Sequence, residues 1–478
     1  MTVPYAPAPR KPNSTVRDLL ICLAVIGAFA AISLGYTVYA SGLLGNDAIG
    51  PFAQEEWDPV LEPYVEFVES ERGLRFGRPV DVRFANIAEE VAAGFEENRA
   101  ALEAAQASLD ELPVADPYGD AFTLLGLVDF EADLDSQEST EESIIANAGA
   151  FYDPFEDEIV LPEGESLLSL ELTIVHELTH ALQDQNGMLD YYPDTADSSQ
   201  ARLALIEGDA ERIAEAWFVQ MTVAERQAYL DAIDFDPNQP FEDPGNSYLD
   251  STFFVSYGLG VPLVMSIIET DGEEELNRLL RSPEVGSTER FIDLLGDSDS
   301  QQVNALVEFD PPKGRDEADG DLGALAWFAT LAPIVGTDGA FDALIGYDDD
   351  AFAIYENADG SVCGRFEVFF DDADEAAEFV AIAGEAGIVG AADAQRRSVT
   401  SDICEQIGDP ADQRIAVVFP LIVANELVLH HLLNGEDEQT ARCAALAQVK
   451  TLPIDRSLDD FEGYDALFVA STSFVDAC

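Results

Sequence analysis

At 478 residues the chain is too long for a single compact core and has room for two or three domains of about 150 residues each. It carries 94 Asp and Glu against 23 Lys and Arg, a formal charge of −71, yet 47% of its residues are hydrophobic, which excludes general disorder. Nucleic acid is excluded as a partner, because binding a polyanion needs a basic surface that releases its counterions.

From the N-terminus, no charged residue occurs between Leu19 and Asn46, and residues 19–41 are apolar over a length that crosses about 30 Å of hydrocarbon as a helix. The preceding tail, residues 1–18, holds Arg10, Lys11, Arg17 and one acid, Asp18. The positive-inside rule then puts the tail in the cytoplasm and the rest of the chain outside the cell membrane. A cleaved signal peptide ending near Val38-Tyr39-Ala40 is the competing reading, against which the apolar run is longer than the usual 7–15 residues. Cys22 has no small residue just before it, as a lipid-modified cysteine requires.

Beyond the span, Asp58 to Arg72 has helical periodicity with Leu61, Val65 and Val68 on one face. Leu74 to Phe84 alternates like a strand, and Ala85 to Leu112 returns to helix. Asp133 to Ser143 is acidic and polar, a solvated loop without the spacing of a calcium loop. Ala148 to Leu161 reads as two short extended runs about Asp153-Pro154.

Ser166 to Gly187 places Leu167, Leu170, Ile174, Leu178 and Ala181 at helical intervals, with Ser166 as N-cap and Gly187 as the closing residue. This buried helix carries His176-Glu177-Leu178-Thr179-His180. Four residues apart, His176 and His180 project from one helix face and can bring two imidazole nitrogens to one metal ion, while Glu177 can take a proton from metal-bound water. The chain has only four histidines, so chance would give this pattern on the order of a few times per thousand such sequences. The alternative is a pair of core histidines bonded to backbone carbonyls, with Glu177 left costly to bury.

A catalytic zinc site needs a third protein ligand and an open position for water. The remaining histidines, His430 and His431, lie far downstream, so the third ligand is expected to be a carboxylate. In the helical stretch Ala201 to Trp217, Glu207 falls within the inward stripe of Leu203, Ile206, Ala210, Ile213 and Ala214, and Asp209 is expected to face away. Glu211, one turn beyond Glu207, is placed to orient a ligand histidine. For both glutamates the alternative is a carboxylate on a solvated helix face. Tyr257, in the stretch Ser256 to Gly260, is the candidate oxyanion donor, with Tyr192 behind it; both are alternatively packing residues.

These motifs together, Gly149 to Pro154, Val175 to Gln185, Ala204 to Ala210, Ser256 to Gly260, Arg281 to Pro283 and Ser287-Thr288, resemble the gluzincins, zinc metallopeptidases whose H-E-x-x-H is completed by a Glu on a following helix. The resemblance covers roughly residues 151–288 and is to a poorly characterised branch of membrane-anchored surface proteins of haloarchaea. It implies an α+β zincin-like catalytic domain (residues 50–306) holding Zn²⁺ on His176, His180 and Glu207. By the same resemblance Glu177 is the general base, the substrate is a peptide or protein, and Ile159 to Leu161 form the edge strand that pairs with it. One departure is the 26 residues between His180 and Glu207, more than in thermolysin-like enzymes. The charge pattern, with lysine only at Lys11, Lys313 and Lys450, is that of an extreme halophile, where molar salt screens the self-repulsion.

Val307 to Asp321, with Pro311-Pro312, reads as a linker to an α+β accessory domain over residues 322–478. There Leu322 to Leu331, Ala373 to Gly384 and Asn425 to Leu433 read as helices, and Phe352 to Tyr355, Arg365 to Phe370 and Ile415 to Val423 as strands. His430 and His431 are expected on the surface. Cys363, Cys404, Cys443 and Cys478 suggest two disulfides in one of three pairings, or else free thiols. Three functions fit this sequence: a membrane-tethered, outward-facing zinc metallopeptidase, a noncatalytic surface protein keeping the zincin fold, and a zinc hydrolase acting on another bond.

Overall fold

A computed structural model of the chain describes residues 56–93, 117–128, 149–154, 156–190, 195–233, 248–282, 287–294, 318–357, 360–409, 415–451, 472–475 and 478. The expected membrane span 19–41, Cys22, the 133–143 loop and Tyr192 lie outside them. The fold is α+β, with two small sheets among many helices.

The first sheet packs beside three helices. Helix α1 (Glu62–Arg72) buries Val65 and Val68 as its periodicity predicts, and ends at Gly73, whose φ of 63° is the left-handed closing conformation. Strand β1 is only Asp81–Ala85, shorter than the alternation from Leu74 suggests, because Gly77 and Pro79 break pairing before it. Strands β2 (Phe151–Asp153) and β3 (Glu158–Pro162) form the two extended runs about Asp153-Pro154. Their order is β1-β3-β2, parallel then antiparallel. Ile159 to Leu161 are therefore in the central strand, a correction to the expected edge: the run of three buried apolar residues marks a strand covered on both faces, and pairing occupies both of its sides.

Helix α2 (Glu171–Gln185) starts a turn later than Ser166, which instead caps a turn through Ser169 N–H. It closes at Gly187, with Met188 N–H bonded to the Gln183 carbonyl. Helix α3 (Ala196–Gln220), capped by Thr195, lies against α2 on one side and helix α4 (Tyr248–Asp271) on the other. Two apolar clusters meet along α3: Leu205 and Ile206 belong to one, Ile213 and Ala214 to the other.

The second sheet has order β4-β5-β6-β8-β7 and is antiparallel throughout: β4 (Ala318–Gly320), β5 (Tyr347–Glu356), β6 (Val362–Phe370), β7 (Gly390–Asp393) and β8 (Ser398–Ile403). The end of the expected linker is thus a strand. Helix α5 (Gly323–Leu344) is long and apolar enough to cross a membrane, but its side chains are mostly buried within the protein, so it serves as a core helix. Helix α6 (Ala373–Ala383) is capped by Asp372 in a reciprocal bond with Glu375. Helix α7 (Ile415–Leu433) runs continuously where a strand then a helix was expected: Ile415 to Val423 is apolar on every side, which hides its period, and Pro420 is unsuited to a central strand. His431, expected on the surface, is buried. Helix α8 (Glu438–Val449) follows, and α4, α5 and α7 share one apolar cluster with the second sheet.

The four cysteines outside the apolar N-terminal run pair as Cys363–Cys404 and Cys443–Cys478, which indicates an oxidising compartment. With a sequence separation of 41, Cys363–Cys404 restrains the unfolded chain by about 4 kcal/mol, so a double Cys→Ser variant is expected to lose that stability, read as a lower denaturant midpoint at unchanged slope.

At the start of α5, Asp350 caps the helix by accepting the N–H of Gly323 at 2.9 Å and the Tyr347 hydroxyl at 2.6 Å. Nearby, burial and the charges of Asp348, Asp371 and Asp197 push Glu289 up to about 8 against the pull of Arg290, and burial with Asp197 and Asp350 pushes Asp321 up to about 8. A carboxyl raised in the fold binds more protons there than in the unfolded chain, so its contribution falls as pH climbs from the ordinary value near 4.5 towards about 8. Glu289→Gln is expected to raise the melting temperature at pH 8 by several degrees and to leave that at pH 5 nearly unchanged, as calorimetry at the two pH values would show.

Candidate metal centre

The centre forms where α2 and α3 cross. His176 and His180 share one face of α2 because one helical turn separates them, and α3 brings Glu207 opposite. His176 Nε2 lies 2.9 Å from His180 Nε2 and 3.3 Å from Glu207 Oε2, and His180 Nε2 lies 3.5 Å from that oxygen. A triangle with these edges has a point about 2 Å from each corner, the bond length that a small divalent ion takes to imidazole nitrogen and carboxylate oxygen. All three residues are buried, and among the described residues they are the group of ligand-type side chains spaced to hold a metal ion. The wholly buried Glu207 carboxylate faces both imidazoles and the Tyr257 hydroxyl, and a cation between the rings would offset the cost of burying its charge. The donor set of two imidazoles and one carboxylate fits such a cation.

Charges around the centre favour positive charge within it. Burial would raise the Glu207 carboxyl, but His180 and His176 hold it down at about 2, ionised. Burial opposes charging His176, and Glu207 and Glu211 outweigh it, lifting the ring well above its usual value. Glu211 stands where the sequence places it, its Oε2 3.3 Å from His176 Nδ1.

Glu177 is wholly buried beside the histidines. Its Oε2 accepts the Tyr152 N–H at 2.8 Å, and its Oε1 has no hydrogen-bond partner among the described residues. Burial raises its carboxyl above the ordinary range, against the pull of both imidazoles. Tyr152 is itself anchored through its hydroxyl, 2.9 Å from Asp157 Oδ1 and 2.8 Å from Asp184 Oδ2, with burial pushing Asp184 up to about 6. The β2 backbone therefore fixes one oxygen of Glu177, a role that the extended run Ala148 to Leu161 did not disclose.

Tyr257 arrives from α4, its ring nearly parallel to His176 with centroids 6.4 Å apart. Burial and the Glu207 charge keep its phenol protonated. Its placement follows from the close approach of α3 and α4 at Gly208 and Gly260: a Cβ on Gly208 would stand 2.2 Å from the Gly260 carbonyl carbon, so only glycine admits this crossing directly after Glu207.

The structure thus brings together His176, His180, Glu207, Glu177 and Tyr257. It corrects Asp209, expected to face away: this residue is fully buried, with Oδ2 3.0 Å from Arg72 Nε and Oδ1 2.9 Å from Arg212 Nη2. Gln183, missed in the sequence, links it to His180. No family model, no curated protein and no solved structure matches the chain.

Proposed function

We propose that the protein is a zinc-dependent metallopeptidase of the gluzincin type, with a zincin-like catalytic fold, tethered through residues 19–41 and facing outward. The convergence of His176, His180 and Glu207 around one point, with Glu177 beside them, carries this reading. A Zn²⁺ ion held by these three side chains supplies a Lewis acid and an activated water at neutral pH. Glu177 accepts a proton through Oε1, while Tyr152 N–H keeps Oε2 in place, and passes it to the leaving amine. Tyr257, held protonated, donates to the oxyanion that develops on the substrate carbonyl.

The acidic surface makes molar salt the assay condition. Stoichiometric zinc in the purified full chain, with cleavage of a peptide library abolished in Glu177→Gln, supports the proposal. One observation favours a noncatalytic zincin-fold surface protein instead: His176, Glu177, His180 and Glu207 are at most 3% exposed. Zinc bound with no cleavage of any peptide, and no change in Glu177→Gln, selects that alternative.

A further inference from the structure

The two imidazoles are held from behind by partners of different kinds. His176 Nδ1 faces the Glu211 carboxylate, whereas His180 Nδ1 lies 3.0 Å from Oε1 of Gln183, a neutral amide. The other end of that amide decides its orientation: Nε2 donates to Asp209 Oδ2 at 2.8 Å and to the Ile206 carbonyl at 3.2 Å. Both of these are acceptors only, so a reversed amide would bury oxygen against oxygen. With Oε1 turned to His180, only a protonated Nδ1 satisfies it, and the lone pair on Nε2 is left for the centre.

Arg72, at the end of α1, and Arg212, on α3, both reach Asp209 in its buried position. The two guanidiniums also share Glu273 Oε2, at 2.7 and 2.9 Å. The chain of contacts therefore runs from α1 through α3 to a side chain on α2.

We propose that Asp209, acting through Gln183, is a positioning residue that fixes the tautomer of His180 with Nδ1 protonated and Nε2 free to bind a cation. This deepens the reading of His180 as a zinc ligand and rests on it for its consequence, though not for the tautomer itself.

With only four histidines, the full chain labelled with ¹⁵N-histidine suits solid-state NMR in lipid, which separates protonated from unprotonated ring nitrogens in metal-free protein. His180 is expected protonated at Nδ1 in the wild type and mixed in Gln183→Met, with zinc affinity by chelator competition lowered about 10–100-fold. Gln183→Glu alone sets two carboxylates against each other and is expected to behave as badly. Gln183→Glu with Asp209→Asn reverses donor and acceptor between these two side chains and keeps an acceptor for Nδ1–H, so it is expected to recover tautomer and affinity above Gln183→Glu, short of the wild type because the Ile206 carbonyl still faces the new carboxylate. A wild-type His180 protonated at Nε2 and not at Nδ1, or a double variant no better than Gln183→Glu, overturns the proposal, and neither measurement depends on whether Gln183→Met folds. If the wild type shows the expected tautomer but binds no zinc, the metal reading fails and this one stands.

Discussion

Glu177→Gln is expected to lower kcat for peptide hydrolysis about 10²–10⁴-fold while zinc content stays at the wild-type level. Gln keeps the shape of the side chain and an oxygen to accept the Tyr152 N–H, now 2.8 Å from Oε2, so the change should not disturb α2 or β2. What it removes is the proton acceptor at Oε1, where the carboxylate has no hydrogen-bond partner among the described residues. Loss of a group that acts in the transition state and not in binding lowers kcat and kcat/KM together and leaves KM nearly unchanged. Steady-state kinetics in molar salt, with metal analysis of the same samples, decides the case. Zinc lost along with activity would make Glu177 a ligand or a structural residue, and full activity would remove it from the mechanism.

The parts of the centre legible in the sequence were those that a helix dictates. His176 and His180 share a face because four residues make about one turn, and Glu207 lies in the inward stripe of α3 for the same reason. Asp209 shows where periodicity fails. Two positions from Glu207, it leaves the apolar stripe and so reads as solvent-facing, yet α1 supplies Arg72 to meet it. No local pattern announces a cation 137 positions earlier in the chain. Gln183 was illegible for a related reason, since an amide gains its role only from the carboxylate behind it.

The fold shows the same division. Helices with one wet face, α1 and α6, were readable, whereas α7 was not, because an element that is apolar all round presents neither the period of two nor that of 3.6. Strand order also escapes the sequence. The buried run Ile159 to Leu161 marks a strand, but its central place depends on pairing with β1, more than seventy residues earlier.

Glu207→Gln is expected to weaken zinc binding by more than 100-fold, beyond the about 10–100-fold expected of Glu211→Gln. Glu207 is the one anionic side chain of the three proposed ligands, held down at about 2 by the imidazoles, and Gln retains its volume while removing its charge. Two histidines on one helix turn would remain, a pair that leaves half of a tetrahedral site to solvent. Glu211 touches His176 from the far side at 3.3 Å, so its loss loosens a ring without removing a corner of the triangle. If zinc binds the folded chain alone, as proposed, the difference appears as stability: each 100-fold loss of affinity, at fixed excess zinc, takes away about 2.7 kcal/mol of metal-dependent stabilisation. Melting curves with zinc and with chelator should then show a zinc-induced rise that is largest in the wild type, smaller in Glu211→Gln and smallest in Glu207→Gln. If the two variants lose the rise equally, or Glu211→Gln loses more, the carboxylate assigned to the metal is the wrong one.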